Sequence, residues 1–386
     1  MLTFSIVTPS LNQAAFVSQT IESVLSQAGP FRIEYFVIDG GSVDGSVEII
    51  RTWAEAVASG AFRPRCEGVT LEWSSGPDQG QSHAINQGLR RARGDVAAYI
   101  NSDDLYVPGA FERVARELEA HPEADFVHGD GDVIDAGGAL QWEWLSRPYE
   151  HSVLTSYHFL WNSFTNYIMQ QATFWRRRVH ERIGFLDESL HYAMDVEFWV
   201  RAGAEGLRLR HVPAKLGKFR MIEGTKSLSS PTVFWGDYLE LFRRYRGAGR
   251  LGIYFAYYWY NAARAAGLDL EAASREAEPV LGRFSALPPA ERERVLERSR
   301  AGRGLAALLL ASDLRKAGRR EDARRAVGRA LRERPALALH PFAWRYACQV
   351  AFGDRLFARL EAVARSAVRA YRRVRHDYRY RRWSSS

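Results

Sequence analysis

The chain has 386 residues, of which 46% are hydrophobic and 25% are charged, a composition typical of a globular protein with one large or two ordinary domains. Its two cysteines, Cys66 and Cys348, are far apart and form no Cys-x-x-Cys pair, which argues against a disulfide framework and a structural zinc site. No run of 18 apolar residues occurs, so no transmembrane helix is expected.

The net charge of +8 is unevenly distributed. Residues 1–230 carry 21 Lys and Arg against 29 Asp and Glu, whereas residues 231–386 carry 32 against 16. The acidic first part argues against nucleic acid as its partner. The basic second part is typical of a region that meets an anionic surface.

The first 130 residues alternate strand-like apolar runs with amphipathic stretches. Strands are predicted at Leu2–Thr8, Tyr35–Ile38, Val69–Trp73 and Val96–Ile100, and helices at about Asp44–Ala58, Ser82–Ala92 and Ala110–Ala120. This alternation predicts an α/β fold with a mostly parallel sheet flanked by helices, in which ligands bind at the carboxyl ends of the strands. Residues 131–230 are interpreted as loops and short helices over the same sheet, and the chain is expected to be helical after Pro231.

The sequence Asn101-Ser102-Asp103-Asp104 follows a buried strand. Carboxylates at such a position commonly hold a hard cation through oxygen ligands, and Mg²⁺ bound by one or two carboxylates plus substrate phosphates is the usual arrangement for nucleotide substrates. The alternative is a solvated turn in which an Asp caps the next helix.

Several motifs occur in a characteristic order. They are Thr8-Pro9-Ser10-Leu11-Asn12, Asp39-Gly40-Gly41-Ser42, Gly76–Gln81, Asn101–Asp104, Gln170–Trp175, Gly184–Glu188 and Tyr192–Trp199. Together they resemble glycosyltransferase family 2, the inverting, sugar-nucleotide-dependent enzymes of the GT-A fold, over residues 3–230. The resemblance implies a GT-A domain at 1–230, while charge and helical spacing predict a basic helical region at 231–386.

The resemblance also implies roles on the donor side of the site. Nucleotide contacts are expected from Thr8, Pro9, Ser10, Asn12, Asp39, Asp78, Asn101 and Ser102. Asp39 is expected to accept a hydrogen bond from the base, with capping of the next helix as the alternative. Asp103 is the expected ligand of a divalent cation, Mg²⁺ or Mn²⁺, with Asp104 assisting.

On the acceptor side, the resemblance implies that Asp195 is the general base that deprotonates the acceptor hydroxyl. Glu197 is the competing base, and an ion pair with an Arg is the alternative role for Asp195. Arg220 and Lys226 are the candidate phosphate contacts. Asp130, which follows another strand, is a candidate on the acceptor side or part of a structural turn.

The expected activity is inverting transfer of a sugar from a nucleoside diphosphate donor, most simply a UDP-sugar, to a glycan or lipid-linked acceptor in surface polysaccharide synthesis. A nucleotidyltransferase and a catalytically silent, membrane-associated scaffold are the alternatives. Arginines between Arg355 and Arg382 accompany an apolar helical face, which predicts contact with an anionic membrane surface. The alternative is a helix that packs on its own domain and leaves its arginines in solvent. The protein is expected to be cytoplasmic, with peripheral attachment to the inner face of the cell membrane, and no nucleic acid partner is expected.

Overall fold

The structure, a computed structural model, describes residues 1–154, 167–222, 233–247 and 251–333. The chain divides into two compact units, Met1–Tyr245 and the residues from Arg246 onward.

The first unit is built on one nine-stranded mixed sheet. Its strands are β1 (Thr3–Ser10), β2 (Gly29–Asp39), β3 (Cys66–Ser75), β4 (Val96–Tyr99), β5 (Leu105–Tyr106), β6 (Phe126–Ile134), β7 (Leu140–Trp144), β8 (Thr173–Arg176) and β9 (Leu209–Arg220). Their order in the sheet is β3-β2-β1-β4-β8-β6-β9-β5, and β7 pairs with β6.

The parallel half of the sheet contains β3, β2, β1 and β4. The strand β1 is buried from Phe4 to Ser10, and its hydroxyl residues Ser5, Thr8 and Ser10 are buried together with its apolar residues. Its register sets Ser10 opposite Asp39 on β2 and Val7 opposite Tyr99 on β4. The carboxyl ends of these strands therefore reach the same edge of the sheet, as predicted.

Helices cover the strands of the first unit. They are α1 (Val17–Leu25), α2 (Ser46–Ala58), α3 (Gln81–Arg91), α4 (Ala110–Ala120), α5 (His151–Leu154), α6 (Arg178–Ile183), α7 (Met194–Ala204) and α8 (Val233–Arg246). A Cβ added at Gly88 of α3 would lie 2.6 Å from Cγ1 of Val7 on β1. The absence of a side chain at this position is what lets α3 approach the sheet so closely.

Residues 126–154 and 167–220 are more regular than the sequence suggested. The strands β6 and β9 pair in parallel, and β8 runs antiparallel between β4 and β6. The expected loops over the sheet are thus partly strands of the sheet itself. The pairing of β9 with β6 is interrupted by register shifts on either side of Asp130. These shifts break the alternation of buried and exposed residues along β9, so its sequence lacks the pattern typical of a strand.

The second unit is helical through the described residues that it contains. Its helices are α9 (Leu251–Ala265), α10 (Leu270–Glu276), α11 (Glu278–Gly282), α12 (Pro289–Lys316) and α13 (Arg320–Glu333). The helix α12 packs on both α9 and α13. The predicted helical C-terminal region is confirmed as far as Glu333, and the arginines between Arg355 and Arg382 lie outside the described residues.

Across the described ranges, no helix is both long enough and apolar enough to cross a membrane.

The close contact between α3 and β1 predicts the effect of a single methyl group. The substitution Gly88→Ala overpacks this interface, and we expect it to lower the free energy of unfolding by about 1–3 kcal/mol. Urea denaturation measures the change.

The control is Gly137→Ala in an exposed turn, where the nearest atom to an added Cβ is an Asp135 carboxylate oxygen at 3.4 Å. It should change stability by no more than about 0.5 kcal/mol. Equal effects of the two substitutions would contradict the packing argument.

Candidate active site

A cleft of about 560 Å³ opens at the carboxyl ends of β1 and β4. Seven of the predicted site residues line it: Pro9, Ser10, Asp78, Asn101, Ser102, Asp103 and Asp195. Seven others do not: Thr8, Asn12, Asp39, Asp104, Asp130, Glu197 and Arg220. Lys226 lies outside the described residues. The sequence motifs thus converge on one cavity, but only half of the predicted residues that the structure describes line it.

Asp104 lies behind the cleft and is fully buried. Its Oδ2 accepts hydrogen bonds from Nε2 of Gln171 at 2.7 Å and from Nδ2 of Asn101 at 3.1 Å. Its Oδ1 accepts from the backbone N–H of Arg220 at 2.8 Å. Burial, reinforced by the charge of Asp103, raises the pKa of Asp104 well above its usual value. Both oxygens are engaged inside the protein, so the assisting metal contact expected of Asp104 stays a prediction that this arrangement does not support.

Asn101 connects this buried carboxylate to the start of α3. Its Oδ1 accepts a hydrogen bond from Nε2 of Gln81 at 2.6 Å, while its Nδ2 donates to Asp104. Only a side chain with both a donor and an acceptor can make these two contacts. The neutral amide at position 101 is therefore suited to a bridging role and does not simply represent a lost carboxylate ligand.

Arg220 ends β9 and is 1% exposed. Its Nε donates to the carbonyl oxygen of Asp103 at 2.8 Å, and one terminal nitrogen donates to the carbonyl oxygens of Asp135 and Ala136 at 3.2 and 2.8 Å. The other terminal nitrogen donates to Oε1 of Gln19 at 2.8 Å. Every guanidinium nitrogen has a protein partner and Arg220 does not line the cleft, so the phosphate contact expected of Arg220 stays a prediction that this arrangement does not support. Its role is to hold the loop that carries Asp103.

Asp103 is the carboxylate that the loop presents to the cleft. Burial raises the pKa of Asp103, and the positive charge of Arg220 opposes that rise. Within the described ranges, no cluster of three or more His, Cys, Asp or Glu side chains is placed to hold a metal ion. The residues present fit the other known arrangement, in which one carboxylate and the phosphates of a substrate share a divalent cation.

Asp195 stands in the first turn of α7 and lines the same cleft as Asp103. Its Oδ1 accepts a hydrogen bond from the N–H of Val196 at 2.7 Å. The Tyr99 phenol also lines the cleft, and its pKa is raised first by burial and then by the charge of Asp195. Asp195 is therefore a half-buried carboxylate beside an aromatic wall, a placement that suits a proton acceptor.

Glu197 and Asp130, the other acceptor-side candidates, are engaged elsewhere. Glu197 is 2% exposed, pairs with Arg201 at 2.9 Å and accepts a hydrogen bond from the Tyr245 hydroxyl at 2.7 Å. Asp130 accepts from the backbone N–H of Ser146 at 2.8 Å and contacts the His211 ring at 3.1 Å. Both carboxylates stabilise the protein around the site, and neither faces the cleft.

Three of the predicted nucleotide contacts instead shape the loops beside the cleft. The Thr8 hydroxyl is fully buried and hydrogen-bonds Tyr35 at 2.9 Å. The Asn12 side chain accepts a hydrogen bond from the N–H of Val43 at 3.0 Å. Asp39 accepts four hydrogen bonds, and its donors are the N–H groups of Gly41 and Ser42 and the hydroxyls of Ser42 and Ser75. In this structure Asp39 orders the turn after β2.

Ser10 and Asp78 are available to a ligand on this side of the cleft. Through the part of the chain that the structure describes, the buried Ser10 hydroxyl has no hydrogen-bond partner. Asp78 accepts from the N–H of Gly80 at 2.7 Å through Oδ1. Its Oδ2 would lie 2.8 Å from a Cβ at Gly40, so a side chain at position 40 would displace the Asp78 carboxylate.

One buried residue that the sequence motifs did not indicate positions the segment before Asp195. Asp237, on α8, accepts hydrogen bonds from the backbone N–H groups of Tyr192 at 2.6 Å and Ala193 at 3.2 Å. These two residues immediately precede the helix whose first turn holds Asp195. The resemblance ended near residue 230, and a lone Asp within a helix is usually solvated, so the sequence offered little indication of this contact.

The bridging role of Asn101 predicts the effect of restoring an acid there. In Asn101→Asp, an oxygen replaces the donor that faces Asp104, and we expect the free energy of unfolding to fall by about 1–3 kcal/mol at neutral pH. Burial raises the pKa of Asp104 above its value in the unfolded chain, so protonation restores a donor between the two side chains as the pH falls, and the loss should be smaller at about pH 4.5 than at about pH 7.5. Urea denaturation at the two pH values measures it.

The matched control for this experiment is Asn12→Asp, because Asn12 is exposed and uses its side-chain oxygen as an acceptor, which Asp retains. Its stability should stay within about 0.5 kcal/mol of the parent. An Asn101→Asp protein as stable as this control at neutral pH would contradict the bridging role.

Comparisons with known proteins identify relatives of both the sequence and the fold. Residues 5–184 match the family model described as Glycosyl transferase family 2, and residues 97–284 match that of Glycosyl transferase family group 2. An uncharacterized glycosyltransferase of Mycobacterium tuberculosis is 29% identical over 258 residues, which cover 64% of this chain and 87% of the relative. A Mycobacterium bovis PGL/p-HBAD biosynthesis glycosyltransferase is 29% identical over 200 residues, covering 51% of this chain and 68% of the relative.

Among solved structures, Staphylococcus aureus TarS superposes with a TM-score of 0.51 at 16% identity, over 78% of this chain and 55% of the TarS chain. A TarS structure of residues 1–349 in complex with UDP-GlcNAc gives a TM-score of 0.50 at 14% identity, over 86% of this chain and 89% of that chain. At such identities the likeness concerns the fold, and it confirms the predicted α/β sheet with flanking helices, followed by a helical region.

Proposed function

Because the chain belongs to glycosyltransferase family 2 and has the GT-A fold, we propose that this glycosyltransferase is inverting and moves a sugar from a uridine diphosphate donor to a glycan or lipid-linked acceptor. The observation that carries the proposal is that Asp103 and Asp195 line one cleft. One carboxylate comes from the loop after β4 and the other from the first turn of α7.

Two observations support a uridine diphosphate sugar as the donor: the polar groups of the cleft and the ligand of a protein with the same fold. The hydroxyl of Ser10 and the carboxylate of Asp78 are polar groups that a nucleotide can engage. TarS, which shares the fold, was solved with UDP-GlcNAc, and this precedent makes uridine diphosphate sugars the first donors to test.

The proposed reaction is a single displacement at the anomeric carbon. The acceptor oxygen forms a bond to that carbon while the bond between the carbon and the diphosphate oxygen breaks, which inverts the configuration. Asp195 accepts the proton of the attacking hydroxyl, and the nucleoside diphosphate leaves with the bonding electron pair. Asp237 contributes by fixing the backbone of residues 192 and 193, just before the helix that carries Asp195.

Asp103 is proposed to hold a divalent cation together with the donor diphosphate. A bound Mg²⁺ or Mn²⁺ would neutralise the negative charge that develops on the diphosphate leaving group. The role of the protein is to keep the Asp103 carboxylate facing the cleft, which Arg220 does by binding the carbonyl oxygen of the same residue.

Aromatic residues beside Asp195 support a sugar or similar hydroxyl-bearing acceptor. Tyr192 and Phe234 both line the cleft, and their ring centroids lie 4.8 Å apart. Aromatic faces give a sugar ring apolar contact area while leaving its hydroxyls free for hydrogen bonds. The acceptor is therefore proposed to enter along this aromatic side.

The activity itself is tested by incubating the purified protein with Mn²⁺ and UDP-glucose, UDP-galactose or UDP-N-acetylglucosamine, and by measuring the released product. A glycosyltransferase releases UDP. A nucleotidyltransferase would instead produce or consume pyrophosphate, and a silent scaffold would release neither. The substitution Asp103→Asn should remove the Mn²⁺ dependence of donor binding, because it removes the only carboxylate that the Asn101–Asp104 loop presents to the cleft.

The base assignment predicts a separation of binding from turnover. Asp195→Asn keeps the size of the side chain but cannot accept the proton, so turnover should fall roughly 10²–10⁴-fold while the affinity for UDP stays close to that of the parent. Steady-state kinetics and calorimetric titration with UDP measure the two quantities.

Glu197→Gln is the comparison variant for the base assignment, because Glu197 lies on the same helix but faces Arg201. Its turnover per folded molecule should stay within a few-fold of the parent. A larger loss of turnover in this variant than in Asp195→Asn would transfer the role of base to Glu197.

Attachment to an anionic membrane surface remains a proposal that rests on the sequence of residues 354–386, which lie outside the described residues. Each Arg near an anionic leaflet contributes about 1 kcal/mol, screened by salt. We expect the protein to co-sediment with anionic vesicles but not with zwitterionic ones, and to be released by salt. A chain that ends at residue 353 should lose co-sedimentation and keep its UDP affinity. Equal binding of both chains would contradict the proposal.

A further inference from the structure

The side chain of Gln170, a residue that lines the cleft, carries a buried oxygen atom without a hydrogen-bond partner among the described residues. Gln170 is 8% exposed and lines the cleft. Its Nε2 donates a hydrogen bond to the carbonyl oxygen of Tyr99 at 2.7 Å. Over the ranges that the structure describes, its Oε1 has no hydrogen-bond partner. An amide oxygen can only accept, so this atom requires a donor that the surrounding protein does not supply.

The orientation of the Gln170 amide is fixed by its surroundings. Rotating the amide by half a turn would bring Oε1 against the Tyr99 carbonyl oxygen, and two acceptors would then face each other. The oxygen must therefore point away from Tyr99.

The backbone beside Gln170 is also held in place. The next residue, Gln171, donates to the buried carboxylate of Asp104 at 2.7 Å. A Cβ at Gly217 would lie only 2.4 Å from the Gln171 carbonyl oxygen, so this segment packs directly on β9. The acceptor atom of Gln170 is therefore preorganised before any ligand binds.

The position of Gln170 indicates which part of a ligand supplies the donor. Gln170 begins the 3₁₀ turn Gln170–Ala172 that leads into β8, next to β4. Tyr99, its partner, ends β4 just before the loop that presents Asp103. Burial and, after it, the charge of Asp195 raise the pKa of the Tyr99 phenol. In the proposed displacement, the donor sugar lies between the diphosphate near Asp103 and the acceptor near Asp195.

We propose that Oε1 of Gln170 accepts a hydrogen bond from a ring hydroxyl of the donor sugar, and that this contact selects donors that carry a hydroxyl at that position. The inference rests on the proposed function, since it assumes a sugar nucleotide in the cleft. A donor analogue that lacks this hydroxyl would leave the buried oxygen of Gln170 without a hydrogen bond. The analogue should therefore bind more weakly, and the loss is larger than at an exposed oxygen, which water could pair.

The test compares UDP with UDP-sugars on the full chain in the presence of Mn²⁺. Gln170→Met removes the acceptor oxygen and keeps an unbranched side chain of similar length. Isothermal titration should give a Kd for UDP within about twofold of the parent, and a Kd about tenfold higher for the UDP-sugar that the parent binds most tightly among UDP-glucose, UDP-galactose and UDP-N-acetylglucosamine. The control is Gln141→Met, an exposed residue outside the cleft, which should leave both constants unchanged.

Deoxy analogues of that UDP-sugar distinguish a direct contact from a general disturbance. In the parent, one deoxy analogue should bind about tenfold more weakly than the complete sugar, and in Gln170→Met the same analogue and the complete sugar should bind equally. Equal weakening of UDP and of the UDP-sugar in Gln170→Met would overturn the contact, as would a variant that still discriminates against every deoxy analogue as the parent does. A parent that binds neither UDP nor any UDP-sugar would instead overturn the proposed uridine donor, and the inference with it.

Discussion

The buried carboxylate of Asp104 is the interaction on which the site depends. Its hydrogen bonds join residues that are far apart in the sequence: Asn101 follows β4, Gln171 precedes β8, and Arg220 ends β9. Its backbone carbonyl also accepts from the hydroxyl of Thr20 on α1, at 2.8 Å. Burying a charged or polar group is costly unless hydrogen bonds compensate, so this arrangement is stable only when all three strands are in place. Asp103 is presented to the cleft because its neighbour is held in this way.

Neighbouring acids in this protein divide structural and chemical roles between them. Asp103 faces the cleft, whereas Asp104 is held inside the protein. Asp195 faces the cleft, whereas Glu197 turns back to Arg201 and Tyr245. In each case the acid held inside the protein supports the element that carries the acid lining the cleft. A short acidic motif therefore indicates where a site lies more reliably than it indicates which of its acidic residues contacts the ligand.

The sequence predicted those features that arise from local patterns. The strands β1, β2 and β4 were predictable because each contains an apolar run, and the helix at Ala110–Ala120 because its apolar residues recur at helical spacing. The strand β9 was not predictable, since its pairing depends on partners more than 80 residues away and is interrupted near Asp130. The cleft residues after β1, β3 and β4 were found because motifs follow strand ends, whereas Asp195, in the first turn of a helix, was found through the resemblance to glycosyltransferase family 2. The inward orientation of Asp104 and the full engagement of Arg220 depend on packing between distant elements, which no single sequence segment reports.

The contact between Asp237 and the segment before α7 limits how this enzyme can be recombined with its relatives. The helix Val233–Arg246 belongs to the first compact unit, and its Asp237 binds the backbone of Tyr192 and Ala193. Tyr245 at the end of the same helix binds Glu197. A chimera joined near residue 230 would pair the helix that carries Asp195 with a foreign support, even though every cleft motif on the N-terminal side of that junction would be retained. A junction after Tyr245 would keep both contacts within one parent.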